Sequence, residues 1–185
     1  MSERSSKFSS EQWGIVRGSV LALALAGAIL AAAHFWIPPH FFGLSEDMDF
    51  GERMTFVLKA DLLLFLWLAG CVRAVSSGRF SSPADIRGSA FGAPSPAIAV
   101  RAAVLQNSLE QTVLFFPATL ILAALMRGSE LVLAPFLVGL FLLGRVSFAI
   151  GYATGASGRA FGMALTAGPI IVSYGMALWL IAVGR

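Results

Sequence analysis

Charge is scarce in this 185-residue chain: 12% of its residues are Asp, Glu, Lys or Arg, against about 25% in an ordinary soluble domain. Cysteine occurs once, as Cys71, which excludes an intrachain disulfide and any CxxC metal or redox motif. It lies within an apolar run and reads as a small hydrophobe. The only histidines, His34 and His40, flank a Pro-Pro pair without thiol or carboxylate company, so no metal site is expected. The 13 basic residues outnumber the 10 acidic ones, but they stand singly at the edges of apolar runs, as membrane topology requires. Nucleic acid is therefore not an expected partner. No internal repeat is evident.

What the chain has in abundance is apolar sequence, 57% of its residues. Five runs, near 15–37, 54–75, 97–126, 131–152 and 162–183, each reach the roughly 20 residues needed to cross a hydrocarbon core. With lipid as solvent every backbone amide must be satisfied within its own segment, so each run is read as a helix. The expected fold is an all-α integral membrane protein with no separate soluble domain. The first run follows Arg4 and Lys7 and contains the small residues of a cleavable signal. It continues to Trp36 and Ile37, however, and is read as a retained helix with an aromatic interfacial anchor. Three connections are short; the fourth, 76–96, is rich in Ser, Gly and Pro and reads as a loop.

Lys and Arg set the orientation. With the N-terminus in the cytoplasm, Arg4, Lys7, Arg17, Arg73, Arg79, Arg87, Arg101, Arg145 and Arg159 fall on or near the inner side, against Arg53, Lys59, Arg127 and Arg185 outside. This bias favours N-in and C-out; the expected setting is a bacterial inner membrane.

Ionisable groups inside apolar helices are costly, so each is a functional candidate. The third run carries Gln106, Asn107, Glu110 and Gln111, with Asn107 and Glu110 three apart on one face, and Pro117 beyond them as a kink. The fourth run ends with Arg145 and Tyr152, two turns apart, and Arg159 follows after seven more residues. The inner ends of the last three helices meet on one side, so Asn107, Glu110, Arg145, Tyr152 and Arg159 can converge. In the plainest reading, Glu110 and Arg145 neutralise each other while Asn107 fixes the register of the bundle. The surplus of cation and amide suits an anionic ligand better. Asp61, two turns into the second run, is expected to pair with a neighbouring helix, and Lys59 to snorkel. The spacings Gly14–Gly18, Gly151–Gly155 and Gly158–Gly162 permit close helix approach and mildly favour oligomers.

The ordered set Asn107, Glu110, Arg145, Gly151, Tyr152 and Arg159 across three helices resembles the MAPEG family, the membrane-associated proteins of eicosanoid and glutathione metabolism, over roughly 54–183. The resemblance implies a MAPEG-like four-helix membrane domain at 51–185. An additional N-terminal transmembrane helix and an acidic outer loop then occupy 1–50. It further implies a homotrimer that binds glutathione near the cytoplasmic surface and conjugates or reduces a lipophilic small molecule. Asn107, Glu110, Arg145, Gln106 and Arg101 are then the glutathione-binding candidates, and Arg159 and Tyr152 the catalytic ones, with Arg159 favouring the thiolate. Better-known members carry an arginine one turn before the asparagine, where this chain has Ala103. Arg101 lies six residues before Asn107, roughly 120° around the helix from that face, so one carboxylate clamp is either missing or supplied by Arg73 and the 76–96 loop. A non-catalytic scaffold or lipid-binding protein of the same fold is the alternative, and a transporter is disfavoured because the charges gather at one membrane face.

Overall fold

The computed structural model describes residues 8–185, so Arg4 and Lys7, which entered the orientation argument, lie outside the described residues. Among those residues there is no strand, and five helices are long and apolar enough to cross a membrane. These are α1 (Ser10–Trp36), α2 (Phe50–Phe80), α3 (Pro96–Leu125), α4 (Ala134–Gly151) and α5 (Ala156–Ala182).

The helices outrun the apolar sequence that announces them, because polar residues cap and extend their ends. Ser9 and Gln12 form a reciprocal capping box on α1, as Asp49 and Glu52 do on α2. Each box satisfies two amides that a helix start leaves without partners. α2 therefore begins four residues before its apolar run and carries on through Phe80. The fourth and fifth helices are joined by a single 3-10 turn, Tyr152–Thr154, and Gly155. Gly155 sits at φ +102°, a conformation open to glycine and strained for other residues. That turn lets α5 start at Ala156, six residues ahead of its apolar run. The loop between α2 and α3 shrinks to 81–95, where Asp85 accepts hydrogen bonds from the Ser82 hydroxyl (2.6 Å) and the Ser95 amide (2.7 Å).

Lipid tails are as apolar as leucine, so helices in a membrane associate through close packing and hydrogen bonds, with little hydrophobic drive. Small residues provide the packing. α4 and α5 run antiparallel with glycines at their contact, where a Cβ on Gly162 would strike the backbone of Phe148. A Cβ on Gly144 would lie 2.6 Å from the Thr166 amide nitrogen. α1 runs parallel to α5, its Gly14 facing Ser157, Gly18 facing Phe161, and Ala26 near Gly168. The Gly14–Gly18 and Gly158–Gly162 spacings are thus spent within one chain. Between α2 and α3, the Asp61 carboxylate meets the Thr119 hydroxyl at 2.7 Å, the pairing expected of it. Tyr174 of α5 donates to the Leu114 carbonyl (2.8 Å), close to the place where Pro117 interrupts the α3 ladder.

The start of α1, the α2–α3 loop and the α4–α5 turn lie together at one end of the bundle, as alternating spans require. The C-terminus lies at the other, where Arg185 pairs with Glu130 at 2.7 Å.

Candidate functional site

Arg145 is fully buried on α4. Its Nε donates to Thr166 Oγ1 at 2.8 Å, its Nη1 to Asn107 Oδ1 at 2.7 Å, and its Nη2 to the Met163 sulfur at 3.7 Å. The guanidinium carbon also stands 4.5 Å from the centre of the Phe148 ring. One planar fork therefore ties α3, α4 and α5 together, a task for which a lysine point charge lacks the geometry. Thr166 in turn donates to the Gly162 carbonyl (2.9 Å). The consequence for Asn107 is specific. Because its carbonyl oxygen accepts from Arg145, its NH2 group is the end left free for a further acceptor.

That amide borders a cavity of about 540 Å3. Tyr152 and Arg159 give it a polar end, Asn107 adds an amide further in, level with Met163 and Thr166, and Ala160, Met163, Ala164 and Ala167 carry its wall along α5 into the apolar zone. Such a volume lies in the range, roughly 300–1,000 Å3, of pockets that enclose small molecules. At the polar end the Arg159 guanidinium lies over the Tyr152 ring, 4.8 Å from its centre. Among the described residues Arg159 has neither an ion pair nor a hydrogen-bonded side chain. Its charge lies against an aromatic face, and the Glu11 carboxylate of α1 comes within 3.8 Å of the position a Cβ would take at nearby Gly155.

The expected residues thus divide. Asn107, Tyr152 and Arg159 line one cavity, with Arg145 directly behind Asn107. Glu110 does not join them: it stands on the exposed side of α3 and accepts from Gln106 Nε2 at 2.9 Å. The Glu110–Arg145 pair of the plainest reading is not formed, since Arg145 bonds to Asn107 and Thr166 instead. The register role foreseen for Asn107 is fulfilled through that bond. Arg101 turns to α2, donating to the Ala74 carbonyl at 3.1 Å, and borders a separate cavity of about 370 Å3 with Trp67 and Cys71. No cluster of three or more potential metal ligands occurs among the described residues.

Sequence reasoning passed over Thr166, Ile15 and Ser19. Thr166 lies seven residues after Arg159, on the same helical face, so its spacing was a usable signal. Ile15 and Ser19 belong to α1 and reach the cavity by tertiary packing alone.

These observations define a class: a polytopic helical membrane protein with a cationic, amide-lined cavity at one end of its bundle. A family model described as the MAPEG family matches residues 54–179. The chain belongs to the MAPEG family, with the match running from the first turn of α2 to the last turn of α5 and α1 lying before it. No curated protein and no solved structure gives a match.

Proposed function

We propose that this MAPEG-family protein binds glutathione, or a related anionic thiol, at the Asn107–Tyr152–Arg159 cavity and turns its thiolate on a lipophilic electrophile or hydroperoxide. The observation that carries this reading is the Arg159 guanidinium, without an ion pair among the described residues, at one end of a cavity otherwise lined mostly by apolar side chains. A thiol ionises near pH 8.5, and a neighbouring guanidinium favours the thiolate, the reactive form. The free NH2 end of Asn107 suits a ligand carboxylate. Arg145, fully buried and committed to protein partners, holds that amide in place and is a positioning residue.

With an electrophilic carbon, the sulfur forms a C–S bond and the leaving group departs with the bonding pair. With a hydroperoxide, two thiols are oxidised to a disulfide while the O–O bond is reduced to an alcohol and water. In the homotrimer implied by the resemblance, Glu110, on the outward face of α3 and accepting from Gln106, would offer its carboxylate to the ammonium of a ligand held against a neighbouring subunit. The side rich in arginine, carrying the cavity, is cytoplasmic in this reading.

The test is equilibrium binding of glutathione to the purified protein, with thiolate ultraviolet absorbance read in wild type and Arg159→Ala. Binding with a thiolate signal that the variant loses supports the reading, as does turnover falling far more than affinity. Absence of binding at millimolar glutathione overturns it in favour of a non-catalytic lipid-binding or scaffold role.

A further inference from the structure

The cavity has a wall that the family match does not include. Along α5 it extends from Arg159 to Ala167, eight residues and roughly 12 Å at 1.5 Å each. Over that depth α5 offers Met163 and three alanines, at 160, 164 and 167, and the alanines project no further than Cβ. The width beside Ala160 is therefore set by what stands opposite. Two of the lining residues, Ile15 and Ser19, belong to α1 and stand level with 158–162, since Gly14 faces Ser157 and Gly18 faces Phe161.

Their placement follows from the α1–α5 contact. Gly14 and Gly18, four apart, press α1 against α5, where a Cβ at Gly18 would come within 3.3 Å of the Phe161 amide nitrogen. Ile15 and Ser19 each follow one of these glycines and so share the adjoining helical face, about 100° around. Close packing at the glycines brings that face to the cavity. Ser19 is the one polar residue between Arg17 and His34, and its hydroxyl bonds to no side chain among the described residues. A hydroxyl that borders an otherwise apolar wall is a point at which a ligand's shape and polarity are read.

We infer that α1 is a functional wall of this site, and that Ile15 and Ser19 are specificity-determining residues for the apolar body of the acceptor. The inference rests on reading the cavity as an acceptor site, and adds that the helix outside the family match selects what enters it. Glutathione belongs at Arg159 and Tyr152; the apolar body of the acceptor lies against Ile15 and Ser19 of α1, beside Ala160 and Met163 of α5.

Binding of the fluorescent amphiphile dansyl-undecanoic acid to the full chain in detergent tests this, with glutathione binding measured in parallel. Ser19→Phe is expected to weaken the dye at least tenfold and to leave glutathione affinity within twofold. Leu21→Phe, on the exposed side of α1, is expected to leave both unchanged. Dye affinity within twofold of wild type in Ser19→Phe overturns the inference, as does an equal loss in Leu21→Phe. A second measurement needs no variant: a diazirine-bearing fatty acid is cross-linked to wild type and mapped. Label at 15–19 supports the wall, and label confined to α2–α4 overturns it. If wild type binds no glutathione while Ser19→Phe still weakens the dye, the glutathione reading falls and the α1 wall stands. Intact glutathione binding with unchanged dye affinity gives the reverse.

Discussion

Two seams meet on α5, and they are built to different tolerances. Against α4, the contact is backbone to backbone: Gly144, Gly151, Gly158 and Gly162 sit where any Cβ would overlap the opposite helix. Arg145 then locks the seam with bonds to Thr166 and, across to α3, Asn107. Against α1, the contact loosens along the seam. A Cβ on Gly14 would lie 2.9 Å from the Ser157 Cβ, one on Gly18 3.3 Å from the Phe161 amide nitrogen, and one on Gly168 3.5 Å from Ala26, an ordinary van der Waals separation; no side-chain hydrogen bond crosses the seam among the described residues. The first seam fixes the polar side chains of the site with hydrogen-bond accuracy. The second only has to hold an apolar wall at a given distance, and packing alone suffices for that.

The contrast is sharpest at Gly162, where Leu has no room and the α4 backbone cannot yield. Gly162→Leu is expected to cost on the order of 3 kcal/mol or more. Recovery of monodisperse protein in detergent should collapse, and a normal yield would show that the seam can open. Arg145→Lys keeps the charge and loses the planar fork. A destabilisation of about 1–2 kcal/mol is expected, read as a lower thermal midpoint together with weaker ligand binding at Asn107. Gly18→Leu attacks the looser seam and should cost only about 1 kcal/mol. A midpoint shift as large as that of Gly162→Leu would abolish the distinction between the seams.

The smallest effect lies outside both seams, in the loop 81–95. The Ser82 hydroxyl and then the Ser95 amide hold the Asp85 carboxyl below its ordinary 3.8. A carboxyl depressed in this way stabilises the loop fully above pH 3.8, and the contribution is lost as pH falls through its lower folded value. Protection of the 81–95 amides, relative to their intrinsic exchange rates, should therefore fall only in acid. Asp85→Ala should exchange fast already at neutral pH, while both seams keep their protection.

The spans were legible because lipid leaves a chain few options. An apolar run of sufficient length must form a helix, and five such runs gave five helices. Helix ends were less legible. The box formed by Asp49 and Glu52 and the turn at Gly155 lie in polar sequence that hydropathy reads as loop. Within the site, Asn107, Tyr152 and Arg159 were visible as polar residues at helical spacing, and the structure brings them to one cavity. Glu110 carried the same spacing signal yet faces outward with Gln106. A helical face known from spacing alone has no known neighbour, and the rotation of α3 within the bundle decides which polar group looks inward.

By itself the sequence determined that this chain carries five helices long and apolar enough to cross a membrane, and that its polar cluster resembles that of the MAPEG family. The tertiary structure decided that Arg145 serves Asn107 and Thr166 rather than Glu110. It also decided that an N-terminal helix outside the family match walls the cavity. The physical reason is one of range. Membrane insertion is governed by local composition, whereas the partner of a buried polar group depends on helix rotation and on which glycines allow two backbones to touch.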